Sequence, residues 1–235
     1  MSRFFALLPA AGQGARMGAA LPKQYLPLAG HPLIRHSVGA LCASPHIERV
    51  FVVLSVDDAH WEAYDWSPFG PRLVPLRCGG ASRAASVLAG LSSLHGPPWS
   101  LADGDWVLVH DAARACLAPH LLARLIDQLR EDEIGGLLAM PVADTVKRAA
   151  AAHRVAQTVP RDGLWLAQTP QMFRFGLLRR ALAKYRDVTD EASAIEASGL
   201  APRLVESDIT NLKITYPLDL HLAELILRDR AASSS

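Results

Sequence analysis

The stretch Phe4-Phe5-Ala6-Leu7-Leu8-Pro9-Ala10-Ala11-Gly12-Gln13-Gly14-Ala15-Arg16-Met17-Gly18 decides the fold. Its first five residues are a short apolar run of the kind that forms a strand buried on both faces. Small residues follow at once. A loop of Gly and Ala at the carboxyl end of a strand exposes backbone N–H groups and lets a phosphate chain come close, and ligands of open α/β sheets bind at that edge. The spacing is GxGxxxG rather than the GxGxxG of a dinucleotide fold, no GxxxxGK[ST] occurs, and Asp57 lies well beyond the ~20-residue offset of a ribose-binding acid. These absences argue against an oxidoreductase. A tight strand-to-helix turn has the same composition, so the meaning of the loop comes from its neighbours: Arg16 within it and Lys23 just after it, in Leu21-Pro22-Lys23-Gln24-Tyr25. Two cations beside a phosphate cradle suit nucleotidyl transfer, where negative charge collects on the attacked α-phosphoryl and on the departing pyrophosphate.

Outward from this loop, short apolar runs alternate with helical patterns, the signature of βαβ units and a largely parallel sheet. Phe4–Leu8, Val50–Ser55, Val107–His110 and Gly136–Pro141 read as buried strands. Pro32–Ala43, Ser82–Leu94 and Pro119–Arg130 carry apolar residues at helical spacing, with Ser82 and Pro119 as helix-start residues. Further on, Trp165–Phe173, Arg203–Val205 and Leu212–Thr215 read as strands, Thr189–Ser198 and Pro217–Arg228 as helices, and Ala231–Ser235 as a disordered tail. The expectation is a single domain over residues 1–230, a helix-covered sheet with right-handed crossovers.

Residues Ala143–Gly163 break the rhythm. Thr145-Val146-Lys147-Arg148 and Arg154-Val155-Ala156-Gln157-Thr158 both alternate polar and apolar residues around a bland Ala149–Ala152 turn. That pattern predicts a projecting β-hairpin arm, and such an arm either meets a partner surface or remains a surface excursion.

Composition narrows the field. With 235 residues, half of them hydrophobic, and a formal net charge of +1, the chain is ordinary for a soluble globular protein and points to neither nucleic acid nor membrane. No stretch approaches the ~20 apolar residues of a membrane span. The N-terminal run superficially resembles a signal peptide, but it is very short, has a single Arg before it and leads into the Gly-rich loop. Cys42, Cys78 and Cys116 are odd in number and widely spaced, which indicates neither a disulfide framework nor a zinc site and fits a reducing cytoplasm.

Other positions read ambiguously by themselves. Asp111 ends an apolar strand in Asp-Ala-Ala-Arg, where a carboxylate is a metal-side or sugar-hydroxyl ligand, or a helix cap. His110 beside it reads as structural. Thr189-Asp190-Glu191 reads as a capped helix start that could itself receive a phosphate. Lys213 has the look of a solvated surface cation.

Taken as an ordered set, however, the motifs are specific. Pro9-Ala10-Ala11-Gly12 with Gly14, Arg16 and Met17; Pro22-Lys23-Gln24-Tyr25; Gly79-Gly80 with Arg83 and Ser86-Val87; Val109-His110-Asp111-Ala112-Ala113-Arg114; Asp144-Thr145-Val146-Lys147; Thr158 to Trp165; Thr169-Pro170-Gln171; Thr189-Asp190-Glu191-Ala192-Ser193; and Asn211-Leu212-Lys213-Ile214-Thr215 occur in that order. From Phe5 to about Leu227 the chain resembles the 2-C-methyl-D-erythritol 4-phosphate cytidylyltransferases of the non-mevalonate isoprenoid pathway.

The resemblance implies a Rossmann-like nucleotidyltransferase fold, a homodimer with exchanged β-arms, CTP and an alditol phosphate as substrates, and Mg²⁺ bound mainly through the nucleotide phosphates. Pro9 to Gly12 and Gly14 would contact the nucleotide through backbone, with Ala112 nearby, while Arg16 and Lys23 stabilise the transition state. Gly79, Gly80 and Ser86 would face the cytosine. Asp111 and Arg114 would sit near ribose, metal and acceptor; Thr145 and Arg161 of the partner's arm, with Thr169, Thr189 and Lys213, would hold the acceptor phosphate. A ribitol 5-phosphate cytidylyltransferase would share the nucleotide half and differ in its acceptor pocket. Three features depart from the family pattern. Acidic residues often found around the double glycine and before Ser-Val are missing in Cys78-Gly79-Gly80-Ala81-Ser82-Arg83-Ala84-Ala85-Ser86, and Pro160 replaces an acidic residue before Arg161.

Overall fold

Phe5 and Leu7 of the first strand face one helical layer, while Ala6 and Leu8 face the other. A strand apolar on both sides can sit only inside a covered sheet. The computed structural model describes residues 2–12 and 21–233. Its elements, in chain order, are β1 (Phe4–Pro9), a small ribbon of β2 (Pro27–Leu28) and β3 (His31–Pro32), α1 (Leu33–Cys42), β4 (Ile47–Leu54), β5 (Leu73–Arg77), α2 (Arg83–Leu94), β6 (Trp106–Val109), α3 (Pro119–Leu129), β7 (Gly135–Pro141), β8 (Val146–Ala149), β9 (Val155–Val159), β10 (Trp165–Arg174), α4 (Phe175–Lys184), α5 (Glu191–Ala197), β11 (Arg203–Glu206) and α6 (Pro217–Ser233).

Seven strands form the main sheet in the order β11-β7-β10-β6-β1-β4-β5. β1 lies parallel to both β4 and β6, with Leu7 opposite Phe51 and Val109. Among the described strands of this sheet, only β10 runs against its neighbours, β6 and β7. One layer packs α1 and α3 residues such as Ile34, Val38, Leu122 and Leu125 on Leu8, Val52 and Leu108. The opposite layer packs α2, α4 and α5 residues such as Val87, Leu91, Leu178 and Ile195 on Leu7, Val53 and Val109. Each fully buried aliphatic side chain contributes about 1.5–3 kcal/mol, so Leu108→Ala in the middle of this sandwich costs about 2–5 kcal/mol.

The mostly parallel α/β fold and the four anticipated strands at its centre are present, and Ser82 caps α2 by accepting from the Ala85 amide at 3.1 Å. The arm is present as well: β8 and β9 form an antiparallel ribbon separate from the main sheet, pairing Lys147 with Thr158. Its base is tied by the Val142 amide donating to the Leu164 carbonyl at 3.0 Å.

Two expectations are corrected. Leu212–Thr215 is not a strand: its backbone is irregular, held by the Ile214 amide on the Ala113 carbonyl at 2.9 Å and by the Thr215 and Tyr216 amides on Asp219. The tail is not disordered from Ala231 onward, since α6 runs on to Ser233. The small β2–β3 ribbon, the edge strand β5 and the helix α4 are not anticipated by the sequence pattern.

Candidate active site

Parallel β1 and β6 both deliver their carboxyl ends to one side of the sheet, which puts Pro9–Gly12 next to Asp111–Ala113. A cleft of about 170 Å³ opens there, and its lining includes Pro9, Ala10, Gly12, Lys23, Arg83, Asp111, Ala112 and Lys213. A second hollow of about 390 Å³ adjoins it, between Ala11, Gly12, Gly80, Ser82, Arg83 and Ser86. Arg83 belongs to both. Gly14 and Arg16 lie outside the described residues.

Lys23 is placed by its neighbours. It begins a single helical turn, Lys23–Tyr25, in which Gln24 donates to the Ala10 carbonyl at 2.8 Å. Tyr25 is buried, stacks on Tyr64 and bonds Asp58 at 2.8 Å. The short turn therefore ties the lysine to the end of β1 rather than leaving it on a loose loop.

The double glycine is a packing requirement. A Cβ on Gly79 would come within 2.3 Å of the Ala11 Cβ, and one on Gly80 within 2.8 Å of the Ala85 Cβ. The Gly79 amide donates to the Leu54 carbonyl at 2.8 Å, and the Gly80 amide donates to the Ser86 hydroxyl oxygen at 3.1 Å. Ser86, almost fully buried, in turn donates to the Ser82 carbonyl at 2.9 Å. With both amide hydrogens committed inside the protein, this turn offers acceptors to a ligand.

Charge concentrates around Asp111. Its Oδ1 accepts from Arg83 Nε at 2.8 Å and its Oδ2 from Lys213 Nζ at 2.6 Å. Burial works to raise the Asp111 carboxyl, but Arg83 and Lys213 outweigh it and hold it well below the usual carboxylate range. Arg83 directs its two terminal nitrogens to Glu191 at 2.7 and 3.0 Å. Burial of Arg83 opposes its charge, yet Glu191 and Asp111 raise its pKa all the same. Glu191 has no exposed surface, and that burial leaves its pKa raised despite Arg83.

The remaining site residues sort by position. Lys213 reaches the cleft because the irregular Asn211–Tyr216 segment is pinned on both sides. The buried Asn211 amide nitrogen donates to Gln168 Oε1 at 2.7 Å and to the Thr169 carbonyl at 2.9 Å. Arg114, expected near ribose, metal and acceptor, is buried and donates to the Asn211 carbonyl at 2.6 Å and the Ala167 carbonyl at 3.3 Å. Burial lowers its pKa, and its Nε has no hydrogen-bond partner among the described residues. Thr169 is buried, with Oγ1 3.0 Å from both the Asp111 amide and His110 Nδ1. His110 is structural, as expected: it is fully buried, its Nε2 meets the Arg114 carbonyl at 3.1 Å, and burial pushes its pKa down to about 4.

Thr189 is exposed and adjoins Ser193, at the start of α5, where Asp190 forms a capping box. Gln171 secures that helix start, donating to Asp190 at 2.8 Å and accepting from the Ala192 amide at 2.8 Å. Thr145 and Arg161 are exposed on the arm, Arg161 donating to the Ala143 carbonyl. Neither lines the cleft of its own chain.

Sequence reading passed over the Arg83–Glu191 pair as a functional element. A signal was present: Arg83 is the first residue of α2, where a cation opposes the helix dipole. A cation there needs a carboxylate partner, and Glu191 supplies it.

The family model for IspD, 2-C-methyl-D-erythritol 4-phosphate cytidylyltransferase, matches residues 4–229. A relative of that name from Azoarcus sp. (strain BH72) is 64% identical over 97% of this chain and 95% of its own length. Another of the same name, from Aromatoleum aromaticum, is 62% identical over 98% and 97%. Among solved structures, a 4-diphosphocytidyl-2C-methyl-D-erythritol synthase superposes with a TM-score of 0.85 at 40% identity, covering 97% of this chain and 99% of that one. A 2-C-methyl-D-erythritol 4-phosphate cytidylyltransferase from Thermus thermophilus superposes with a TM-score of 0.76 at 32% identity, covering 97% and 100%. A glycine-lined strand end facing a cationic cluster, continuous similarity to these proteins and the shared fold lead to one assignment: the chain belongs to the 2-C-methyl-D-erythritol 4-phosphate cytidylyltransferase family.

Proposed function

We infer that the protein transfers the cytidylyl group of CTP to 2-C-methyl-D-erythritol 4-phosphate, releasing pyrophosphate and supplying an isoprenoid precursor pathway. The observation that carries this reading is the convergence of Lys23, Arg83 and Lys213 on one cleft beside the Pro9–Gly12 backbone, in a chain of this family. A phosphate monoester is largely dianionic at pH 7, its second pKa being ~6, so the acceptor is its own nucleophile and no general base is required. Its oxygen attacks the α-phosphoryl in line while the pyrophosphate oxygen departs. Lys23 stabilises charge on the nucleotide phosphates, with Arg16 as a second cation, and Lys213 neutralises the incoming acceptor phosphate. Asp111 keeps Arg83 and Lys213 in register across the cleft.

The base is read by the Gly79–Gly80 turn. A carbonyl acceptor suits the exocyclic amine of cytosine and is left unpaired opposite the carbonyl of uracil. That arrangement needs no acidic side chain near the double glycine.

Mg²⁺ fits the donor set. Among the described residues no group of three or more His, Cys, Asp or Glu side chains could hold a metal, and Asp111 is the carboxylate lining the cleft. One carboxylate plus substrate phosphates is a usual magnesium environment. When bound, the ion neutralises charge on the triphosphate and its leaving group.

The same reading includes a homodimer with exchanged arms. Val155, Leu164, Trp165 and Leu166 are exposed apolar side chains along the arm and its base, a patch suited to a second copy. Thr145 and Arg161 then complete the neighbour's acceptor site. The protein works in the cytoplasm in this reading: its three cysteines are free, and among the described residues no helix is long and apolar enough to cross a membrane.

The test supplies CTP and Mg²⁺ with 2-C-methyl-D-erythritol 4-phosphate or ribitol 5-phosphate and measures pyrophosphate. Faster release with ribitol 5-phosphate would overturn the acceptor assignment, and comparable specificity constants for UTP and CTP would overturn the base assignment.

A further inference from the structure

We propose that Thr169 and His110 are positioning residues for Asp111, and that the Thr169 hydroxyl hydrogen serves this chain of hydrogen bonds rather than the acceptor phosphate. Donor and acceptor counting at three buried groups fixes the direction of each bond. The Arg114 carbonyl oxygen lies 3.1 Å from His110 Nε2 and can only accept, so Nε2 carries a proton. A neutral imidazole protonated there presents Nδ1 as an acceptor. The group 3.0 Å from Nδ1 is the Thr169 hydroxyl, which therefore donates. Its oxygen accepts in turn from the Asp111 amide at 3.0 Å. The single hydroxyl hydrogen is thereby committed, and none is left for a phosphate oxygen.

This chain fixes the Asp111 peptide plane, and with it the direction of the side chain that follows. The Asp111 carboxylate must lie between Arg83 at 2.8 Å and Lys213 at 2.6 Å. Both cations enter the reaction only when correctly placed, so a small rotation at Asp111 disturbs the transition state more than ground-state binding. Thr169 acts through Asp111 and does not itself touch the substrate phosphate.

The inference rests on the cytidylyl-transfer reading, and its test separates the two. Thr169→Val removes the hydroxyl at nearly constant shape, and Thr169→Ser restores it. Steady-state kinetics with CTP, Mg²⁺ and 2-C-methyl-D-erythritol 4-phosphate should show kcat of the Val variant reduced ~10-fold or more, KM for the acceptor within ~3-fold of the parent, and the Ser variant near the parent in both. A direct phosphate ligand gives the reverse: KM for the acceptor rises while kcat is kept, and that result overturns the proposal. Independently, ¹⁵N NMR of the His110 ring in the unaltered protein should find the proton on Nε2 and a bare Nδ1. A proton on Nδ1 overturns the donor direction whether or not the Val variant folds. If the unaltered protein releases no pyrophosphate with this substrate pair, the functional reading fails, and the NMR result alone decides the hydrogen-bond chain.

Discussion

Arg83 and Glu191, 108 residues apart in the chain, form a two-pronged ion pair at 2.7 and 3.0 Å that joins the first turn of α2 to the first turn of α5. The third edge of the same guanidinium, Nε, holds Asp111 at the end of β6. One side chain thus locks two helices and a strand end around the cleft.

Removing Arg83 strands the fully buried Glu191, whereas Arg83 would keep Asp111 if Glu191 were removed. Arg83→Met should lower stability by about 3–5 kcal/mol, the usual cost of leaving a buried charge unmatched. Replacing both, as Arg83→Met with Glu191→Leu, should recover most of that stability, because paired apolar groups tolerate the site. Activity should not return with it, since Asp111 still lacks its guanidinium. Urea unfolding and pyrophosphate release, measured on the parent and both variants, check this. A double variant that regains both stability and turnover would show that Arg83 serves packing alone.

Lys23→Ala should lower turnover far more than it weakens CTP binding, because the ammonium matters most once charge has built up on the phosphates. A barrier increase of about 2.7–4 kcal/mol matches other electrostatic groups of this kind. Turnover numbers and a calorimetric Kd for CTP decide the point. Preserved kcat with a raised KM for CTP would make Lys23 a binding residue.

Asp105 gives a prediction about acid. Burial works to raise its carboxyl, but hydrogen bonds from Arg3, at 2.7 and 3.0 Å, and from the Ala102 amide at 2.9 Å leave it depressed. A depressed carboxylate contributes stability that is present above its unfolded pKa of ~3.9 and is lost as pH falls through the folded value. Asp105→Asn should therefore lower the melting temperature at pH 7 and flatten the loss of stability below about pH 4. Parallel melting curves for the two proteins across that range would show that Asp105 is not a source of acid sensitivity.

What could be read from sequence followed local physics. Phe4–Leu8 is apolar on both faces and opens directly into small residues, so both its strand and the cleft at its carboxyl end were legible. β5 was not: it is a short, half-exposed edge strand with Pro75 in its middle, a residue that weakens any strand signal. α4 follows β10 without a break or a side-chain cap, leaving no boundary to detect. The same limit applies to the site. Lys23 announced itself beside a glycine-rich loop, whereas Lys213 depends on Asn211, Gln168 and Ala113, which tertiary structure alone brings together. The family resemblance put Arg114 near the ligands, but its side chain turns onto internal carbonyls.

The exchanged-arm arrangement makes the most demanding prediction. Arg161 is exposed on the arm and absent from the cleft of its own chain, so in the dimer proposed here each site combines Lys23 of one subunit with Arg161 of the other. Lys23→Ala and Arg161→Ala should each be nearly inactive alone. In a mixed dimer one site collects both lesions, while the second is built wholly from intact residues. Random assortment makes about half the dimers mixed, with half of their sites intact, so roughly a quarter of parental activity should return. The two variants are co-expressed with different tags, mixed dimers are isolated to prove that they form, and turnover is compared with each parent. Mixed dimers as inactive as their parents would place Arg161 in its own chain's site and end the exchanged-arm arrangement for this protein.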